Sequence, residues 1–396
     1  MKILIIGTRF APIPCVCNGA IESLTDEYIK YNSKTKKNQI TVYSLYDGKI
    51  TDELLDKYNC VDFRYVNKEK IRYKVLRLIC GVMRKFWKNK FGDEFIRTVK
   101  QDLKKAKEIK KYDKIIILNN INNITYISKH FFGKKILYLH NDYLNVETKN
   151  CYNILNSLDE VWCVSNFIKK QVDGIFKNNK SIVLYNGTKL DEFEQSVSQF
   201  ELEKSKKYFN IHEDDFVVMY TGRVMKEKGV KELIEAFKIF SIEKENCKLI
   251  VVGGPTDFSK KYYEELKDKC KDSRKKIFFI GNVGHDVINI LYKFINVQVV
   301  PSMWNEAFGL TVVEGMAAGV PLIVSDSGGI PELVEENCAV VVKRNDIVNE
   351  LVESLNEIYN NKELRKTLIA NAKKRVKQFS IEDFQKNIEK LLLKKE

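Results

Sequence analysis

Residues 297–334 read VQVVPSMWNEAFGLTVVEGMAAGVPLIVSDSGGIPELV, and the order of patterns within them decides the fold. Val297–Pro301 is an apolar, β-branched run that ends on proline, which predicts a strand buried on both faces. A loop carrying Glu306 follows. A helix is expected to open near Phe308-Gly309, with Glu314 about two turns into it. Gly315, Ala317, Ala318 and Gly319 keep that helix thin enough to lie close to its neighbours, and Gly328-Gly329 offers a permissive turn. Pro321–Ser325 is a second apolar run. Strand, helix and strand at this spacing make a right-handed βαβ unit with parallel strands. The amides of Ala307, Phe308, Gly309 and Leu310, at the positive end of the helix dipole, form a site for an anion. Taken singly, Glu306 and Glu314 are explained as well by the dipole's preference for acids near a helix start.

The same alternation runs outward in both directions. Strands are predicted at Lys2–Gly7, Ile40–Leu45, Lys114–Leu118, Lys135–His140, Glu160–Ser165 and Ser181–Tyr185. A second series covers Phe216–Gly222, Lys248–Gly253, Ile277–Gly281, Val297–Pro301, Pro321–Ser325 and Ala339–Lys343. Helical patterns lie between them, as in Lys228–Phe240 with Val230, Leu233, Ile234 and Phe237 on one face. The alternation lapses in the polar stretch from Lys189 to Asp215. The expected architecture is α/β, with two Rossmann-like doubly wound parallel-sheet domains, 1–190 and 191–380, facing across a cleft that holds the ligand beyond the strand carboxyl ends. Pattern alone leaves open whether the amphipathic C-terminal helix, 381–396, returns to the first domain.

Composition agrees with such a chain. At 396 residues, with 44% hydrophobic and 30% charged side chains, it exceeds one ordinary core and is not disordered. Nine cysteines are scattered without a CxxC pair, and Cys15 and Cys17 form only a weak metal signal. That usage fits a reducing compartment, and Met1–Gly7 lacks the long apolar core of a secretory signal, so a cytoplasmic protein is expected.

Further elements carry chemistry. Thr221-Gly222-Arg223 ends a strand and is followed by Lys228-Gly229. Arginine offers a bidentate fork and lysine a compact charge, and both suit phosphate. Gly253-Gly254-Pro255 and Ile280-Gly281-Asn282-Val283 end two more strands. In the first half, Asn18-Gly19-Ala20 opens a helix, His140 ends a strand, and Asn186-Gly187 leads toward Phe193. No GxGxxG follows the first strand, which disfavours a dinucleotide oxidoreductase.

The segment from Pro301 closely resembles the EX7E signature of retaining glycosyltransferases of family 4 (glycosyl transferases group 1), which have the GT-B fold. The Glu-x7-Glu spacing, the FG after Glu306, the small-residue helix and the GG-x-x-E all match. The resemblance extends over almost the full chain through the elements quoted above. Two departures stand out: Asn18 replaces the first glycine of the family's GGA loop, and Tyr185 replaces a usual proline. By resemblance, Arg223 and Lys228 hold the donor diphosphate, Glu314 the ribose hydroxyls and Glu306 the transferred hexose. Ala307, Phe308 and Gly309 amides help hold the hexose, and the Leu310 amide holds phosphate. Gly19, Gly222 and Gly254 approach the donor, backbone around Val283 contacts the base, and His140 faces the hexose.

The implied activity is retaining transfer of a hexose from a nucleotide sugar, UDP being the commoner carrier. The acceptor is a hydroxyl of a glycan or lipid-linked glycan, in bacterial cell-surface polysaccharide synthesis. The transition state is oxocarbenium-like, so stabilising the departing diphosphate should dominate. No DxD accompanies the motifs and two cations already serve the diphosphate, so no metal or other cofactor is expected. Two alternatives remain at this level: a nucleotide-sugar epimerase or hydrolase on the same fold, and a non-catalytic partner subunit.

The net charge of +14 is concentrated, since 67–111 holds 16 Lys/Arg against five Asp/Glu. Within it, Ile71–Phe91 has a helical period that gathers Ile71, Val75, Leu78, Ile79, Val82 and Phe86 on one face. Lys74, Arg77, Arg84, Lys85 and Lys88 gather opposite. Such a segment fits an anionic membrane surface, or a helix packed on the first domain with its basic face solvated. No nucleic-acid-binding motif accompanies the charge, so nucleic acid is not expected as a partner.

Overall fold

The computed structural model describes residues 1–17, 19–87, 92–177, 180–273, 275–335 and 337–394, without the side chains of 84–87. The chain divides into two compact units: Met1–Tyr185 together with Gln385–Glu396, and Asn186–Phe384.

The first unit holds β1 (Lys2–Ile6), β2 (Gln39–Leu45), β3 (Val61–Val66), β4 (Lys114–Leu118), β5 (Lys134–Leu139), β6 (Glu160–Cys163) and β7 (Ser181–Val183). They form one sheet in the order β3-β2-β1-β4-β5-β6-β7. All its pairings are parallel. Five of its strands are buried along nearly their whole length, which explains why Ile3–Ile6 and Ile115–Leu118 are unbroken apolar runs. The edge strand β3 is absent from the sequence expectation. Its sequence, VDFRYV, alternates polar with apolar and it pairs only with β2, so it lacks the apolar run used to recognise the others.

The second unit holds β8 (Phe216–Thr221), β9 (Cys247–Val252), β10 (Ile277–Gly281), β11 (Val297–Val300), β12 (Leu322–Ser325) and β13 (Val340–Val342). Their order is β10-β9-β8-β11-β12-β13, again parallel throughout. In both sheets the strand order reverses beside the first strand, between β1 and β4 and between β8 and β11. Helices leave in opposite directions at such a point, so the loops beyond β8 and β11 are splayed and open to a ligand.

The C-terminal helix Ile381–Leu393 is tied by its later turns to the first unit. Tyr28 and Asn38 donate to the buried Glu389 carboxylate at 2.9 and 3.2 Å, and the Lys114 ammonium donates to the Leu392 carbonyl at 2.5 Å. The start of the helix meets the NG element within the second unit. Thr188 and Ile381 exchange bonds through Thr188 N–H to Phe379 O and Ile381 N–H to Thr188 O, both at 2.9 Å.

Candidate active site

The loops beyond β8 and β11 bring Lys228 and Glu306 together. The Lys228 ammonium donates to Glu306 Oε1 at 2.5 Å, and Ser302 Oγ donates to the same oxygen at 2.5 Å. Glu306 is anchored from behind: its N–H donates to Ser327 Oγ at 3.2 Å, and Gly329 N–H donates to its carbonyl at 2.7 Å. Gly328 is in the left-handed region at φ 55°, and a Cβ there would lie 2.3 Å from the Glu306 carbonyl oxygen. The GG turn therefore exists to let two backbones touch at the carboxylate loop. A similar demand fixes Gly229, at φ 69°, where a Cβ would fall 1.9 Å from the Pro301 carbonyl oxygen. That contact seats Lys228 against the strand that delivers Glu306.

Serine and arginine side chains, unnoticed in the sequence, complete the scaffold. Ser302, Ser325 and Ser327 are buried, and Ser325 Oγ donates to the Ser302 carbonyl at 2.7 Å. Arg344 reaches over from beyond β13, donating to Met303 O at 3.2 Å and Asn305 Oδ1 at 3.0 Å. Their only sequence signal was serine at the ends of apolar runs. Gln298 is a clearer omission, the one polar residue in VQVV and fully buried. Its amide donates to Thr221 Oγ1 and Thr311 O, both at 3.0 Å, and accepts from Tyr292 at 3.2 Å. It thereby locks the EX7E helix to the switch-point strands, a fully satisfied buried polar node.

That helix spans Leu310–Ala318, with Gly309 at φ 120° as an N-cap that supplies no side-chain bond. Val312 and Val313 N–H donate to Gly309 O at 3.0 and 3.3 Å, so the Leu310 and Thr311 amides form the leading edge of the helix. Ala307, Phe308 and Gly309 form the approach to it, with Phe308 buried against Phe379. Glu314 is the fifth helical residue, nearer the start than the two turns expected, because the helix opens at Leu310. Burial pushes its carboxyl above the usual range, partly offset by His285 and reinforced by Glu192.

Arg223 is exposed just beyond β8, its carbonyl held by the Tyr220 hydroxyl at 2.8 Å. Gly222 N–H donates to Val252 O at 3.0 Å. Gly254 is engaged on both sides, donating to Asn282 Oδ1 at 2.8 Å and accepting from Val224 N–H at 2.9 Å. These bonds set the ends of β8, β9 and β10 edge to edge, with Val283 next along.

In the first unit, Gly19 is the N-cap of the helix Ala20–Thr35 and supplies no side-chain bond, while Glu22 in its first turn is bonded by Thr8. Asn18 lies outside the described residues. His140 follows β5 and is buried, its N–H held by Asn119 Oδ1 at 3.0 Å and its ring 4.1 Å from that of Tyr138. Burial lowers the imidazole pKa to about 3, and Nε2 has no hydrogen-bond partner among the described residues. It is a neutral donor or acceptor awaiting a partner, not a cation.

The sequence profile of Glycosyl transferases group 1 matches residues 201–375, which contain Arg223, Lys228, Gly254, Val283, Glu306, Leu310 and Glu314. By this match the stretch 201–375 is similar to the glycosyl transferases group 1 family. The chain is 26% identical over 391 residues to the putative glycosyltransferase YtcC of Bacillus subtilis, covering 95% of itself and 88% of that protein. It is 31% identical over 223 residues to the uncharacterized glycosyltransferase MJ1607 of Methanocaldococcus jannaschii, a match spanning 55% of each chain. With a second M. jannaschii relative, MJ1178, the match spans 58% of each chain. Among solved structures, Anabaena HepE superposes with a TM-score of 0.74 at 20% identity, covering 99% of both chains. A Rickettsia africae glycosyltransferase gives 0.75 at 20% identity, covering 98% of this chain and 97% of that one. The fold of the chain is GT-B.

Proposed function

We propose that the protein is a retaining hexosyltransferase that takes its sugar from a nucleotide sugar, UDP-linked, and delivers it to a hydroxyl of a glycan or lipid-linked glycan. The observation that carries this reading is the Lys228–Glu306 pair beside the open N-terminus of Leu310–Ala318. A cation, a hexose-binding carboxylate and first-turn amides within one loop cluster match a sugar diphosphate in both charge and length. Similar proteins point the same way. HepE was crystallised with UDP and glucose and with UDP-glucose. Relatives include the lipopolysaccharide 1,2-N-acetylglucosaminetransferase of Salmonella typhimurium, 33% identical over 159 residues. CapM of Staphylococcus aureus, a capsular polysaccharide biosynthesis glycosyltransferase, is 29% identical over 225 residues.

In this mechanism Arg223, Lys228 and the helix amides stabilise the leaving diphosphate as the anomeric carbon takes on oxocarbenium character. The acceptor hydroxyl attacks on the face the diphosphate leaves, and the departing phosphate oxygen takes the hydroxyl proton. Glu306 orients the hexose, Glu314 the ribose, and neutral His140 offers a hydrogen bond to the hexose. No divalent ion is required, and the enzyme works in the cytoplasm at the inner face of the membrane on which its acceptor is carried.

The test is thermal stabilisation by a panel of nucleotide sugars, followed by transfer assays with and without EDTA. One UDP-sugar should raise the melting temperature at saturating concentration. Lys228→Ala and Glu314→Ala should each abolish that rise. An unchanged rise in both variants would overturn the site, and loss of turnover in EDTA restored by a divalent ion would overturn the metal-free mechanism.

A further inference from the structure

The helix Ile71–Trp87 has two apolar faces, and only one is used by the fold. Tyr73 and Cys80 are buried and Leu76 and Met83 half-buried, where the helix packs against Glu94–Lys105. At about 100° per residue, Ile71, Val75, Leu78, Ile79 and Val82 lie on the opposite side. Each is exposed, Ile71 at 81% and Leu78 at 73%. The sequence reading offered this stripe either a membrane or the first domain; the domain takes the other face. Phe86, Arg84 and Lys85, whose side chains are not described, and Lys88, outside the described residues, add nothing to this geometry.

Charge surrounds the stripe. By sequence the helix carries Arg72, Lys74, Arg77, Arg84 and Lys85 and no acidic residue. Arg72 and Lys74 are exposed at its flanks, and Arg77 is exposed further round the helix. A cavity of about 240 Å³ at its N-terminal end is lined by Lys70, Arg72 and Lys105, with Asp102 the one acid among its lining residues. Five outward apolar side chains bordered by cations are costly in water and match the boundary between headgroups and acyl chains. A second copy of this helix is a poor occupant, because its own cations would face these.

We infer that the outward stripe Ile71, Val75, Leu78, Ile79 and Val82 seats the first unit in an anionic bilayer surface, with apolar side chains below the headgroups and Arg72 and Lys74 among them. This rests on the transferase reading only for its purpose, which is to hold the enzyme where a lipid-linked acceptor is presented. The sequence alone did not require the apolar face to enter lipid; the outward position of the stripe is what points to it.

Co-sedimentation of the full chain with phosphatidylglycerol–phosphatidylcholine vesicles at low ionic strength tests it. The wild-type protein should bind these vesicles and leave pure phosphatidylcholine largely unbound. Leu78→Ser with Val82→Ser keeps every charge and should weaken binding roughly tenfold or more. Ile71→Ser, at the first residue of the helix, provides a second variant whose folding is not at risk. Arg72→Gln with Lys74→Gln should weaken binding and flatten its salt dependence. Full binding by both apolar variants would overturn the inference, as would a vesicle-free dimer that Leu78→Ser with Val82→Ser dissolves. Nucleotide-sugar stabilisation is read on the same samples. If it persists while the wild-type protein ignores anionic vesicles, this inference fails and the transferase reading stands. If vesicles bind and no nucleotide sugar stabilises the protein, the reverse holds.

Discussion

At the residue scale the second unit gathers its chemistry around one carboxylate oxygen. Glu306 Oε1 accepts from both Lys228 and Ser302, so its position is fixed before any sugar arrives. Glu306→Gln keeps the shape and loses the charge. It should retain nucleotide-sugar stabilisation while kcat falls by roughly 10²-fold, the scale of losing one electrostatic contact to a transition state; steady-state kinetics on the best donor from the panel would show this. His140 makes a pH prediction with a definite sign. Its folded pKa of about 3 lies below the ordinary value of 6.5, so between these limits the unfolded chain binds more protons. Stability should therefore rise with pH across that window and be complete above it. Urea unfolding of wild-type and His140→Gln protein should show a shallower acid limb in the variant. The motif residues were legible in the sequence because charge and glycine spacing are local properties. Ser302, Ser327, Arg344 and Gln298 were not, since each matters only through a partner that folding supplies.

At the element scale, glycine placement decides whether the site assembles. The segment Lys226–Lys228 is a short 3-10 turn, and Gly229 at φ 69° carries the chain into the helix Val230–Phe240. Gly229→Ala would combine left-handed strain with a Cβ driven into the Pro301 carbonyl, at 1.9 Å. A destabilisation of more than about 2 kcal/mol is expected. Donor stabilisation should be lost as well, because the loops carrying Lys228 and Glu306 part; calorimetry with and without donor measures both. Twelve predicted strands are present, Lys114–Leu118 and Ile277–Gly281 with the bounds expected and the others with ends shifted by a residue or two, mostly because apolar runs overshoot where chains leave the sheet. The thirteenth, β3, escaped because an edge strand half-exposed to solvent has no apolar run to announce it.

At the scale of the whole molecule, the end of the chain completes the first unit. Glu389 accepts from Tyr28 and Asn38 in a buried setting, and burial with Glu389 nearby holds the Tyr28 hydroxyl well above its usual range. Glu389→Ala removes the acceptor of the Tyr28 hydroxyl and leaves the Asn38 side-chain amide only its 3.4 Å bond to Tyr28 Oη, and should destabilise the protein by about 1–3 kcal/mol. Combining it with Tyr28→Phe should cost less than the two separate effects together, since they share one bond; a double-mutant cycle by urea unfolding tests this. Among the described residues no helix is long and apolar enough to cross a membrane, so contact with lipid would fall to a surface such as the outward stripe of Ile71–Trp87. The sequence by itself determined the parallel α/β architecture and the donor-binding motifs of 297–334, because strand burial, helix period and ligand chemistry are written in neighbouring residues. Only the tertiary structure decided that Lys228 meets Glu306, that Gln298 locks the EX7E helix, that Glu389 closes the first unit, and which face of Ile71–Trp87 stays outside. Those outcomes rest on bonds between residues 77, 78 and 361 positions apart, or turn on which of two apolar faces packs better, and no local pattern encodes either.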